Sequence, residues 1–132
     1  CHTTVGDHFY SNFNLTVVDD GRVSIGNSVM FGPNVTISTT GHPVHPYYRM
    51  RGAHFSLPVV IEDGVWIGAN VVVMPGVTIG KNSVIGAGSV VTRDIPENVV
   101  AFGTPCRVIR PITDADLETI RPGMTINADW NA

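Results

Sequence analysis

The sequence predicts an all-β solenoid of short parallel strands, and three observations predict it. First, Ile61, Ile67, Val73, Ile79, Ile85 and Val91 recur every six residues without a gap. Gly68, Gly80 and Gly86 each follow one of these anchors, and Val65, Val71, Val77, Ser83 and Ser89 hold the position four residues after an anchor. Second, the apolar residues are β-branched: 20 Val and 11 Ile stand against 3 Leu. That bias favours strands over a helical bundle. Third, 14 Gly and 9 Pro supply frequent turns.

A period of six is even, so it is compatible with strand alternation and leaves room for a turn in each unit. Each anchor points inward and stacks on the next coil, and the strands of successive coils pair in parallel. Upstream, Ile25-Gly26, Phe31-Gly32 and Ile37 carry the same spacing and phase. The 132 residues make one domain, and 43% hydrophobic against 14% charged residues exclude a disordered chain. No apolar run reaches the roughly 18 residues that span a bilayer. A net charge of −3 argues against a basic nucleic-acid surface. Cys1 and Cys106 are too few for a disulfide framework, which reads as a reducing, cytoplasmic setting.

Between Ile37 and Val59 the hexads lapse, yet phase is kept, because Ile61 follows Ile37 by 24 residues. The expectation is a loop extruded over residues 38–58. It holds three of the 5 histidines, His42, His45 and His54, with Tyr47, Tyr48 and Phe55. Loops projecting from a rigid scaffold tend to carry function. Imidazole accepts a proton near neutral pH, and a hydroxyl becomes a useful nucleophile when a base takes its proton. The β-helix is expected over residues 1–111. Beyond Ile112, Thr113-Asp114-Ala115-Asp116 reads as a helix start, with Leu117 and Ile120 as its apolar face and Pro122-Gly123 as its end. Residues 112–132 are therefore expected to form a short C-terminal helix and tail.

The segments "NFNLTVVDD", "IGNSVMFGPNVTIST", "TGHPVH" and "IGAGSVVTRDIPENVVAFGTPCRVIRPI" resemble the hexapeptide-repeat acyltransferases, and within them the galactoside and maltose O-acetyltransferases. The likeness covers residues 5 to 112. It implies a left-handed parallel β-helix, a hand that runs against the usual crossover rule. It also implies acetyl-CoA as co-substrate, with no permanently bound cofactor and no metal. His42 matches the general base, His45 is the fallback, and His54 is a candidate wall of the acceptor pocket. Asn12 and Asp20 match positions that hydrogen-bond the hydroxyls of a sugar acceptor. Ala69 and Ala87 match residues that offer backbone groups to pantetheine. Thr92 and Arg93 follow in the groove, and Arg107 and Arg110 approach the nucleotide end, where guanidinium suits phosphate. The family carries an N-terminal helical segment, and the expectation is a chain without it, since Val5-Gly6-Asp7 already reads as repeat.

Other readings are weaker. A zinc site of the γ-class carbonic anhydrase kind needs three protein ligands, and the repeat from Ile61 to Val91 contains no His. No P-loop and no dinucleotide fingerprint is present. A non-catalytic assembly module would not need the loop histidine. A xenobiotic or amino-acid hydroxyl remains an alternative acceptor. The family also implies a homotrimer with active sites between subunits. Val60, Val72, Val84 and Val90, each just before an anchor position, are expected to form one outward apolar stripe at that interface.

Overall fold

The computed structural model of the chain describes residues 1–121 and 123–126. Its main strands form three faces of a prism, the parallel β-helix that the hexads predict, with the left hand that the family resemblance implies. Face A stacks Thr3–Val5, Val23–Ile25, Val59–Ile61 and Thr78–Ile79. Face B stacks Tyr10–Ser11, Met30–Phe31, Trp66–Ile67, Val84–Ile85 and Val99–Gly103 in parallel, then Cys106–Pro111 antiparallel to the last. Face C stacks Thr16–Val18, Thr36–Ser38, Val72–Val73 and Val90–Val91.

One hexad supplies one face, so three hexads make a coil. Ile61 pairs with Ile79, Ile67 with Ile85 and Val73 with Val91. All six anchors are buried, and so are Val65, Val71 and Val77, whose side chains fill the corners of the prism. Ser83 and Ser89 continue that inward position. Each is fully buried and satisfied: Ser83 Oγ donates to the Pro96 carbonyl at 2.6 Å, and Ser89 Oγ donates to the Gly86 carbonyl at 2.6 Å. At several corners an asparagine takes the left-handed conformation, as at Asn34, Asn70 and Asn82, with φ of 61°, 58° and 62°. Asn tolerates that region better than other residues with a Cβ.

Val5, Ser11 and Val17 are the anchors of one more coil, paired with Ile25, Phe31 and Ile37. This coil escapes the hexad count because Val17 and Ile25 stand eight residues apart, the turn at Asp19–Arg22 holding two extra residues.

The expected valine stripe is corrected by the same geometry. Residues six apart fall on different faces, so Val60 lies on face A, Val84 on face B, and Val72 and Val90 on face C. The continuous apolar column is on face B, where Tyr10, Met30, Trp66, Val84 and Val100 lie in register. Tyr10, Met30 and Trp66 are each more than half exposed.

The C-terminal helix is also corrected. Asp114–Leu117 is a single 3-10 turn, and Ile120 belongs to the strand Thr119–Arg121, paired antiparallel with Met124–Thr125. Leu117, 72% exposed, is not buried against the prism, so no packed apolar face extends the turn into a helix. Gly123, with φ +80°, turns between the two strands. Pro122 and the tail at 127–132 lie outside the described residues. Among the described residues no helix is long and apolar enough to cross a membrane.

Candidate active site

The loop leaves the prism at the edge between faces C and A. Thr39, fully buried, anchors its start: its hydroxyl donates to the Val18 carbonyl at 2.7 Å and accepts the Gly21 N–H at 3.0 Å. Its neck is a two-residue antiparallel pairing of Thr40–Gly41 with Phe55–Ser56. Gly41 lets the Phe55 ring lie close over the neck, since a Cβ there would stand 2.5 Å from the ring unless Phe55 moved. Beyond the neck, Pro46–Arg49 forms one helical turn.

His42 directly follows the neck. Its Nδ1 lies 3.0 Å from the Ala53 carbonyl. A carbonyl oxygen can only accept, so Nδ1 carries the proton and Nε2 keeps its lone pair. His45 is in the opposite state. Its Nδ1 accepts the Tyr47 backbone N–H at 3.1 Å and caps the helical turn, so its proton is on Nε2. In this arrangement His42 has a nitrogen free to accept a proton and His45 has none. The His54 ring stands 6.4 Å from that of His42, edge to face. Ala53 was not legible in advance, because a backbone carbonyl has no residue signature.

Asp20 reaches the same neck. The Thr40 hydroxyl donates to Asp20 Oδ2 at 2.9 Å and lies 3.3 Å from Ser56 Oγ. At the preceding residue, Asp19 takes the Thr3 hydroxyl at 2.6 Å and the His2 N–H at 2.7 Å. The Thr3 hydroxyl first, and the His2 N–H second, hold the Asp19 carboxyl below the usual carboxylate range.

The remaining candidates divide between two edges. Thr92 and Arg93 lie on the C–A edge with His42, His54 and Asp20. Asn12, Ala69 and Ala87 lie on the edge between faces B and C, so face C separates the two groups within one chain. Asn12 Oδ1 accepts the Phe13 N–H at 2.8 Å. The B–C edge is tightly stacked: a Cβ on Gly68 would lie 2.8 Å from the Ala87 nitrogen. Arg107 and Arg110 project from Cys106–Pro111 on the far end of face B. Arg107 donates to the Cys106 carbonyl at 3.0 Å. Arg110 is held by Asp116 through two bonds of 2.9 Å.

The exposed ladder Tyr10–Met30–Trp66 borders the B–C edge, and single hexads do not reveal it. Writing the sequence in coils of three hexads instead of single hexads would have found it. Cys106 is buried, and burial pushes its thiol up, away from the nucleophilic thiolate. Among the described residues no three His, Cys, Asp or Glu side chains stand together as a metal site.

Residues 58–93 match the bacterial transferase hexapeptide family, a model of six repeats. The chain is 61% identical over 124 residues to a galactoside O-acetyltransferase of Lactococcus lactis, covering 94% of this chain and 60% of that protein. It is 62% identical over 112 residues to the galactoside O-acetyltransferase of Escherichia coli, covering 85% of this chain and 55% of that one. Its structure is similar to a galactoside acetyltransferase in complex with coenzyme A, with a TM-score of 0.92, 55% identity, and coverage of 96% of this chain and 64% of the other. The chain thus spans somewhat under two thirds of the length of these relatives.

Proposed function

We propose, for a chain that belongs to the hexapeptide-repeat transferases and resembles galactoside O-acetyltransferases along most of its length, that it transfers acetyl from acetyl-CoA to a hydroxyl of a sugar or sugar-like acceptor. The observation that carries this reading is the contact of His42 Nδ1 with the Ala53 carbonyl at 3.0 Å. His42, with Nδ1 committed to Ala53, offers Nε2 as the general base at the mouth of the neck.

Both substrates bind together. Nε2 of His42 takes the hydroxyl proton while the oxygen attacks the thioester carbonyl. The tetrahedral oxyanion is held by a main-chain N–H near Ala69. The C–S bond then breaks, and the thiolate leaves with the proton that His42 carries. Asp20 keeps Oδ1 for an acceptor hydroxyl while Oδ2 is held by Thr40. Asn12 and His54 complete the acceptor pocket. Ala69, Ala87, Thr92, Arg93, Arg107 and Arg110 form the CoA groove.

This scheme needs the two edges to meet. A cyclic homotrimer does so by setting the B–C edge of one protomer against the C–A edge of its partner. The exposed apolar column of face B supports such an interface. The setting is cytoplasmic, consistent with two free cysteines.

The test is acetyl-CoA turnover across sugars, thiogalactosides, serine and xenobiotic alcohols, with light scattering on the same sample. Acetylated sugar and a mass near three times 14.1 kDa are expected. Turnover on none of the acceptors overturns the transferase reading. A fully active monomer overturns the shared site.

A further inference from the structure

Arg110 is not free to meet a phosphate. Both of its terminal nitrogens bind Asp116, Nη1 to Oδ2 and Nη2 to Oδ1, each at 2.9 Å. This fork-on-carboxylate arrangement is the same one that guanidinium makes with a phosphate. Asp116 is set in place by the chain that follows Arg110: its Oδ2 also takes the Thr113 N–H at 2.9 Å, and its own N–H donates to the Thr113 carbonyl at 2.9 Å. The 3-10 turn that carries Asp116 borders an open cleft of about 390 Å³ on face B, lined by Trp66, Val84, Val100, Ile112 and Ile120 beside the ion pair. The pair remains accessible, with the two side chains 50% and 33% exposed.

We propose that Asp116 is an internal stand-in for a phosphate of acetyl-CoA on Arg110, and that the donor binds by displacing the C-terminal turn. The inference rests on the transferase reading above. Each bond that Arg110 makes to Asp116 has an equivalent to a phosphate oxygen, so exchange leaves no guanidinium donor stranded. Arg107, which makes no ion pair among the described residues, offers an incoming phosphate a first hold. Displacement widens the open cleft beside Trp66 and changes the surroundings of that side chain. Because the turn must move each time the donor enters or leaves, Asp116 lowers affinity for acetyl-CoA, and a neutral side chain there raises it.

The experiment measures KM for acetyl-CoA in the full chain, in Asp116→Asn, in Arg110→Gln and in the double variant. Asp116→Asn is expected to lower KM about two- to fivefold, the range of an exposed ion pair. The same change in the Arg110→Gln background should give no gain, since the competition has lost its object. A KM that is unchanged or raised in Asp116→Asn, while the wild type still binds acetyl-CoA, overturns the proposal. So does an equal gain in both backgrounds. A wild type that binds no acetyl-CoA overturns the transferase reading and this inference with it. A second measurement needs no change at Asp116. With Trp130→Phe as the background, the emission of Trp66 should shift as acetyl-CoA saturates, and constant emission at saturation overturns displacement of the turn.

Discussion

Replacing His42 by Ala separates the proposed base from its neighbours in the loop. The change removes a loop imidazole whose Nδ1 is committed to the Ala53 carbonyl, as that of His54 is to the Gly52 carbonyl at 3.4 Å, and it touches neither the neck pairing nor the Thr40–Asp20 bond. A positioned general base contributes roughly 10²- to 10⁴-fold. The expected loss in kcat is therefore at least about a hundredfold, or about 2.7 kcal/mol of barrier. KM for acetyl-CoA should stay close to the wild-type value, because the proposed phosphate contacts, Arg107 and Arg110, lie on the end of face B and His42 on the C–A edge. His45→Ala is the matched control. It deletes an N-cap, a loss of about 1 kcal/mol of local order, so its kcat should fall less than about tenfold. Steady-state kinetics on both variants, with acetyl-CoA and the best acceptor of the panel, gives the comparison. If kcat survives in His42→Ala, or falls as far in His45→Ala, the tautomer argument is wrong.

Other perturbations test other parts. Arg107→Ala should raise KM for acetyl-CoA about tenfold, the worth of a hydrogen bond to a charged group, with little change in kcat; an unchanged KM removes Arg107 from the donor site. Gly68→Ala places a Cβ 2.8 Å from the Ala87 nitrogen and 3.0 Å from its Cα. Overpacking of that kind costs about 1–3 kcal/mol, so the denaturant midpoint should drop, and an unmoved midpoint refutes the close stacking of that edge. Asp19 has its carboxyl depressed by the Thr3 hydroxyl and the His2 N–H. Its contribution is present above the unfolded carboxyl value of about 4 and is lost as pH falls through the lower folded value. Protection of the Thr3–Val5 amides, taken relative to their intrinsic exchange rates, should fall as pH drops from 5, and Asp19→Asn should show the lower protection already at pH 7. Equal exchange in both proteins at every pH would dismiss the contact.

The fold was legible because burial leaves a mark on every inward residue. Ile61 through Val91 announce the strand period, and Phe31 and Ile37 extend it upstream. Hexads alone do not say how many make a coil, and that number decides which outward residues share a face. For that reason Val60, Val72, Val84 and Val90 were expected in one column and lie on three faces, while Tyr10, Met30 and Trp66 were passed over. The site was half legible. Asp20 reaches the neck through Thr40, and the rings of His42 and His54 stand 6.4 Å apart just beyond it. The Ala53 carbonyl and the neck itself depend on backbone geometry. The hold of Asp116 on Arg110 depends on a turn of four residues, where periodicity has nothing to count.

The loop has a further consequence for how the chain reaches this structure. Ile61 pairs with Ile79 18 positions on, whereas Ile25 must find Ile61 across 36. Doubling the length of a closed segment adds only about 0.6 kcal/mol of chain entropy. The excursion over residues 38–58 is therefore nearly free at equilibrium, and its contents can vary widely without unsettling the prism. In time the balance differs. Coils of a solenoid order on their neighbours, and order that spreads from the unbroken hexads at 61–91 toward Val5 meets its longest closure at the coil that bears His42.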